Sequence, residues 1–230
     1  MQATPTFYSQ IGQDRFLFEQ FFSDKVGGTF VEIGAYDGIS LSNTYFFEKT
    51  MAWTGICVEP LPSAFQKLRR FRTARCYNCC VSDYEGVADF LDVDVLHEAK
   101  MLSGLLENYD PRHVERIRKT EQGSQVIPVQ VRKLNNMLAE NDLTHVDYCS
   151  IDTEGSEMKI LASIDFSRFT FDYLSVENNY KDPEYARFMD AKGFDLIHVF
   201  EEYDELYERR GVNSPPSATP SPSQSNWDNL

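Results

Sequence analysis

Positive charge is scarce in this sequence: 22 Lys and Arg stand against 36 Asp and Glu, a formal net charge of −14 over 230 residues. Affinity for nucleic acid comes largely from Lys and Arg neutralising phosphates, so this balance excludes a protein that tracks a phosphate backbone. The one basic cluster, Lys67, Arg69, Arg70, Arg72 and Arg75, is expected to mark the solvated face and end of a helix. Long apolar runs are missing too. The longest are strand-sized and broken by charge, which excludes a membrane-spanning helix. The stretch Met1 to Tyr8 lacks the basic-then-apolar layout of a secretory leader, so a cytoplasmic, aqueous location is the expectation. Cysteines are few and odd in number: Cys57, Cys76, Cys79, Cys80 and Cys149, four of them in apolar, strand-like runs where a small thiol packs well. Cys76-x-x-Cys79 has no second CxxC or CxxH pair to complete a zinc site, so free core thiols are expected. The sequence also lacks an internal repeat and the G-x-G-x-x-G of dinucleotide binding.

What is present suits a single globular domain. Hydrophobic residues make up 42% and aromatics 13%, enough to bury a sizeable core. That domain is expected over residues 1–210. The segment from Gly211 to Leu230 holds four prolines and five serines, cannot offset the entropy of ordering itself, and is expected to be a disordered tail or linker. Between them, apolar and amphipathic runs alternate as strand and helix, the signature of an α/β fold with a mostly parallel sheet and helices on both faces. Helices are expected over Gln13 to Phe22, Asn43 to Lys49, Ser63 to Arg70, Leu134 to Asn141, Ser156 to Ser163 and Tyr185 to Ala191. Strands are expected at Thr29 to Ile33, Gly55 to Val58, Arg75 to Val81, Val87 to Val93, Val126 to Arg132, Val146 to Ile151 and Tyr173 to Val176. Phe194 to Phe200 and Glu205 to Arg209, joined by Glu201-Glu202-Tyr203-Asp204, read as an antiparallel hairpin at a sheet edge. The polar stretch from Asp94 to Ser124 is long for a connection and suggests a lid around Met101 to Leu106.

In open α/β sheets ligands bind beyond the carboxyl ends of the strands. The first strand ends in Glu32-Ile33-Gly34-Ala35-Tyr36-Asp37-Gly38, whose glycines let backbone approach a ligand that a Cβ would exclude. Glu32 and Asp37 would repel a pyrophosphate and attract the ammonium and sulfonium of S-adenosylmethionine. Glu59 ends the second strand, where a carboxylate can accept both ribose hydroxyls, and Pro60 stiffens the turn that presents it. Ser82 or Asp83, after the third apolar run, would lie near the adenine edge, with Asn43 and Thr44 behind the glycine loop as further cofactor contacts. Gln10, Gln13 and Asp14 precede the first strand within about one helical turn. Two readings stand for them: closure over the methionine moiety or acceptor, or simple capping of the first helix by Ser9 or Asp14.

These residues resemble the FkbM-type methyltransferases over roughly Tyr8 to Phe200. Tyr8-Ser9-Gln10-Ile11-Gly12-Gln13-Asp14 is similar to the family's opening motif, Phe30 to Gly38 to its cofactor loop, Ser103-Gly104-Leu105 to its mid-domain serine motif, and Ile151-Asp152-Thr153-Glu154-Gly155-Ser156-Glu157 to its D-x-E-G-x-E signature. The resemblance implies a seven-stranded Rossmann-like methyltransferase sheet and methyl transfer to oxygen, often on a sugar or natural-product hydroxyl. The charged stretch from Tyr109 to Gln122 departs from the family pattern.

Transfer to a hydroxyl needs the oxygen in line with the S–CH₃ bond and a route for its proton. Asp152 or Glu154 is the candidate base, with His113 the one histidine placed to be tested for that role; His97, His145 and His198 lack ligand spacing. Ser103, Gly104, Glu154 and Asn179 are candidate acceptor contacts. Asp152 with Glu177 and Asn178 could instead hold Mg²⁺ or Mn²⁺, hard cations that suit oxygen ligands and acidify a bound hydroxyl. Against these roles, Glu154 and Glu157 could merely cap the next helix and Glu177 order a loop. The leading reading is an O-methyltransferase for a sugar, glycan or small metabolite. A catalytically silent binding module of the same fold is the alternative, and a nicotinamide-dependent oxidoreductase is disfavoured by the missing glycine motif.

Overall fold

The computed structural model describes residues 5–93, 102–110, 112 and 124–212; the expectations for His97, Met101, His113 and the tail beyond 212 fall outside them. Its centre is a seven-stranded sheet of β1 (Thr29–Ile33), β2 (Thr54–Val58), β3 (Arg75–Tyr77), β8 (His145–Ile151), β9 (Thr170–Glu177), β10 (Phe194–Phe200) and β11 (Asp204–Arg209), in the order β10-β11-β9-β8-β1-β2-β3. β3, β2, β1, β8 and β9 run parallel, whereas β11 pairs antiparallel with both β9 and β10.

Alternate side chains of these strands feed two cores, as the two-residue strand period requires. On one face Val31, Ile33, Ile56, Val58, Cys149 and Ile151 pack with Leu138, Leu161 and Met189, which lie on α4 (Leu134–Glu140), α5 (Glu157–Ser163) and α6 (Pro183–Ala191). On the other, Phe30, Cys57, Tyr148 and Tyr173 pack with Leu17, Phe46, Phe47 and Leu68, from α1 (Gln13–Leu17), α2 (Tyr45–Thr50) and α3 (Pro62–Phe71). A π-helical turn, Phe18–Phe22, continues α1. It carries Phe22 against Trp53 and Phe21 against Tyr173. Among the described residues no helix is long and apolar enough to cross a membrane.

The sequence run from Arg75 to Val81 is not one strand. Asn78 breaks it by turning its amide back to donate to the carbonyls of Glu59 and Pro60 at 2.9 and 2.8 Å. Beyond that break β4 (Cys80–Val81) joins a second, four-stranded sheet with β5 (Gly86–Val93), β6 (Gly104–Leu105) and β7 (Ser124–Arg132), in the order β4-β7-β5-β6. This sheet forms its own core, where Phe90, Leu105, Val129 and Val131 meet Leu61 and Ala64. A short 3-10 turn, Leu106–Asn108, follows β6.

The end of α3 is tied to β1 through ions. Arg72, its side chain fully buried, donates to Glu32 at 2.8 Å and to Glu48 at 2.5 Å. It also reaches Thr44 Oγ1 at 2.6 Å and the Gly38 carbonyl at 3.3 Å. Burial alone would raise Glu48, but the Arg72 charge and hydrogen bonds from Lys49 and Thr73 outweigh it and hold the carboxyl at about 2. Removing one partner of such a group leaves uncompensated charge in the interior, at a cost of about 3–5 kcal/mol. Arg72→Leu is therefore expected to lose stability of that order in chemical denaturation, far beyond the effect of Arg70→Leu on the exposed face of the same helix. Equal, small losses in both variants would contradict the role assigned to this network.

Candidate functional site

Chain order reverses at β1, which has β2 on one side and β8 on the other. Loops leaving these strands diverge there and open a crevice at their carboxyl ends. The crevice is a cleft of about 1210 Å³. The loops after β1, β2, β8 and β9 supply the polar wall, while Leu61, Cys80, Val81, Phe90, Leu102 and Leu105 supply an apolar one.

The loop after β1 folds over β2, with Gly34 and Ala35 N–H both donating to the Val58 carbonyl at 3.0 Å. Gly34 has φ 90°, and a Cβ there would stand 1.9 Å from the Asp152 carbonyl oxygen. The glycine is thus required by contact between two loops of the protein as well as by its backbone angle. Glu59 accepts Tyr36 N–H on one carboxylate oxygen and Leu61 N–H on the other, each at 2.8 Å. Burial pushes it up to about 7, against the lowering pull of those N–H groups. Asp37 faces the same cleft and accepts from Ile39 N–H, Ser40 N–H and Ser40 Oγ. Asn43 lines it as well: its amide donates to Ser150 Oγ at 2.9 Å, and its buried Oδ1 has no hydrogen-bond partner in the protein.

Several residues expected at the cofactor lie elsewhere. Glu32 does not face the cleft: it accepts from Ser42, Asn43 N–H and Thr44 Oγ1 and pairs with Arg72. Its charge is spent inside the protein. Thr44 belongs to that network, and Gly38 lies under Leu68 and Arg72. Asp14 is fully buried and accepts Tyr8 N–H, Ser9 N–H and Ser9 Oγ; it ties the opening motif to itself, while Gly12 stands at the start of α1 with no side chain capping it. Gln10 and Gln13 do reach the cleft, and Gln13 donates to Asp204 at 2.5 Å. Ser82 is buried, bonded to the exposed Asp83, and neither lines the cleft. The cause is the break at Asn78, which puts Cys79, Cys80 and Val81 at the position expected for them.

At the other end, β8 and β9 deliver a knot of carboxyl groups. Oxygens of Asp152, Glu154 and Glu177 lie within 4.8 Å of one another. The enclosing walls and the neighbouring charges of Asp204 and Glu157 push Asp152 up, although its side chain opens on to the cleft; burial and Asp152 push Glu177 up. The two carboxyls are close enough for each to act on the other's proton binding. Glu154 is held there by a left-handed backbone, φ 58°. Glu157 turns away to accept Thr153 and Gly155 N–H, closing the start of α5. Asn178 is not part of the knot: its amide donates to the Asp182 carbonyl and Glu205, and its oxygen accepts Asp182 N–H. Glu154 takes the place expected of Asn178.

The segment after β6 locks on to this loop. A Cβ on Gly155 would come 2.7 Å from the Asn108 carbonyl, and Asn108 donates to Ser156 Oγ at 2.6 Å. Ser103 lines the cleft and accepts Val93 N–H at 2.9 Å, whereas Gly104 packs beneath Tyr109. Asn179, Tyr203 and Pro60 complete the rim. Lys67 is the one Lys or Arg among the described lining residues. Leu61 could have been found from its place after Glu59-Pro60. Phe90 carried no local signal, because pairing across the second sheet brings it in, whereas Leu102 lies in the stretch expected to form a lid.

A family model, the methyltransferase FkbM domain, matches residues 32–205. A search of curated proteins returned no match. Among solved structures the chain is similar to the methyltransferase FkbM from Methylobacillus flagellatus KT, with 13% identity and a TM-score of 0.47 over 82% of this chain and 46% of that one. It therefore spans less than half the length of that protein. It is also similar to a precorrin-6y C5,15-methyltransferase from Geobacter metallireducens GS-15, with 11% identity and a TM-score of 0.39 over 90% of each chain.

The raised carboxyls have a consequence for stability. A group that binds its proton more tightly folded than unfolded makes stability fall as pH rises between its two values. For Glu59 that interval runs from 4.5 to about 7, and the loss is on the order of 3 kcal/mol. Denaturant titrations across this range are expected to show it, with a flatter profile in Glu59→Gln. A variant profile as steep as that of the wild type would contradict the assignment.

Proposed function

The chain belongs to the FkbM methyltransferase family, and from that membership we propose that it is an S-adenosylmethionine-dependent O-methyltransferase acting on a hydroxyl of a sugar, glycan or small metabolite. The observation that carries the reading is Glu59, a buried carboxylate at the cleft whose two oxygens are each fixed by one backbone N–H. An ionised carboxylate offers about four acceptor positions, so two remain for a vicinal diol. That is the chemistry of a ribose.

The rest of the donor set fits the same cofactor. S-adenosylmethionine would supply a methyl group on a sulfonium, and the chain's own groups are suited to its other parts. Asn43 Oδ1, buried and aimed by the bond from its amide to Ser150, is an acceptor for an ammonium. Asp37 adds negative charge beside the glycine loop, where Gly34, Ala35 and Tyr36 present backbone. Leu61, Cys80, Val81 and Phe90 form the apolar wall on which an adenine ring would lie.

Asp152 supports the role of base. Its raised affinity for a proton brings it closer to the matched condition for taking one from a hydroxyl near neutral pH. Ser103 and Asn179, on the rim, would orient the acceptor. The hard oxygens of Asp152, Glu154 and Glu177 also suit Mg²⁺ or Mn²⁺, which would acidify a bound hydroxyl there. Surplus negative charge repels anionic acceptors and favours a neutral polyhydroxylated one.

Calorimetric titration of S-adenosylmethionine and S-adenosylhomocysteine tests this reading. Wild type is expected to bind both, Glu59→Ala to bind at least about tenfold more weakly. Asp152→Asn is expected to retain the nucleosides while losing about 10²–10⁴ in methyl transfer. A chelator that lowers turnover in wild type alone would support the metal. Failure of wild type to bind either nucleoside, with or without Mg²⁺, would sink the proposal in favour of a silent binding module.

A further inference from the structure

Cys57 on β2 and Cys76 on β3 are partners in a parallel register. Both pack into the same hydrophobic core, so both side chains leave the sheet on one face. The Cys76 thiol donates to the Ala74 carbonyl at 3.4 Å. Neighbouring parallel strands lie about 4.8 Å apart, inside the Cα separation of about 4.4–6.8 Å that a disulfide spans.

The pair differs in access. Of the five cysteines only Cys76 is not buried. It sits in a surface groove of about 660 Å³ on the face away from the cofactor cleft, lined also by Phe65, Arg69, Thr73 and Arg75. In a chain of net charge −14 this groove presents the exposed guanidinium groups of Arg69 and Arg75. The neighbouring Cys57 thiol and the charge of Arg72 lower the Cys76 thiol, whereas burial pushes Cys57, Cys80 and Cys149 up and Cys79 up to about 12. One partly exposed thiol opening on a groove beside one buried thiol is the layout of an attacking and a resolving cysteine.

We propose that Cys76 and Cys57 form a thiol–disulfide exchange site for small anionic disulfides of the glutathione class. The Cys76 thiolate attacks one sulfur of the disulfide, giving a mixed disulfide at Cys76 and releasing one thiolate. Cys57 then attacks Cys76 Sγ, passes its proton to the second departing thiolate, and closes the Cys57–Cys76 bond. Two protein thiols are oxidised and one small disulfide is reduced to two thiols. Arg69 and Arg75 would draw the carboxylates of the incoming molecule to the groove. The bond would tie β2 to β3 just before Glu59, whose N–H donates to the Tyr77 carbonyl.

Reduced full-length protein is incubated with glutathione disulfide, denatured, alkylated and mapped by peptide mass spectrometry. The expected result is a Cys57–Cys76 cross-link with Cys79, Cys80 and Cys149 all alkylated. Cys57→Ser should stop with one glutathione on Cys76, and Cys76→Ser should take up none. Alkylation of all five cysteines after treatment, a cross-link through Cys79 or Cys80, or a mixed disulfide at Cys76 that never resolves in wild type would each overturn the proposal. The wild-type map decides the matter even where a variant folds poorly, and it does not depend on methyl transfer.

Discussion

Arg72 is the residue around which the cofactor side of this fold is organised. Its guanidinium lies over the Phe30 ring, 5.2 Å from the centroid, with the carboxylates of Glu32 and Glu48 on its nitrogens. In water that arrangement would be worth little. In the interior it must be complete, because any one of the three groups left alone would be a buried charge. Completion fixes three pieces of chain at once: the end of β1 through Glu32, α2 through Glu48, and the end of α3 through Arg72 itself. The loop from Gly38 to Thr44 is held between them by the Gly38 carbonyl, Ser42 and Thr44. Asn43 inherits its position on the cleft from that clamp.

The same closure explains the division of labour among the acids. Glu32 is neutralised within the protein, so the negative charge that the cleft keeps belongs to Asp37, Glu59 and the group of Asp152, Glu154 and Glu177. Among the described residues, Asp37, Glu59, Asp152 and Glu177 have no Lys or Arg at bonding distance. Burial raises the proton affinity of Glu59, Asp152 and Glu177, and a ligand that brings a cation would lower it again. Glu59 at one end and Asp152 at the other bracket the cleft, with backbone contact between Gly34 and Asp152 holding the ends in register. Proximity of this kind is what a transfer between two bound molecules requires.

Much of this was legible in the sequence. β1, β2 and β8 are short and apolar, β1 followed by a glycine loop and β2 and β8 followed at once by Glu59 and Asp152, so their carboxyl ends and the residues there could be placed from the strand period alone. What could not be read was pairing at a distance. Arg72 lies 40 residues from Glu32, and nothing local distinguishes it from Arg69 or Arg70 on the same helix. Without it, Glu32 looks like a ligand group. The break at Asn78 is likewise decided by the carbonyls of Glu59 and Pro60, and it moved Ser82 and Asp83 off the cleft and Cys80 on to it. Glu154 stands in the carboxyl group beside Asp152 and Glu177 and Asn178 does not, for a similar reason. A left-handed backbone at Glu154 points its carboxyl inward, while Asn178 closes its own loop through Asp182.

A crystal structure of the protein with S-adenosylhomocysteine would test the central claim most directly. The account predicts the ribose hydroxyls on Glu59, the amino group at Asn43 Oδ1 and the adenine against Leu61, Val81 and Phe90, with the sulfur facing Asp152. A nucleoside bound elsewhere, or bound in the cleft with its ribose away from Glu59, would contradict it.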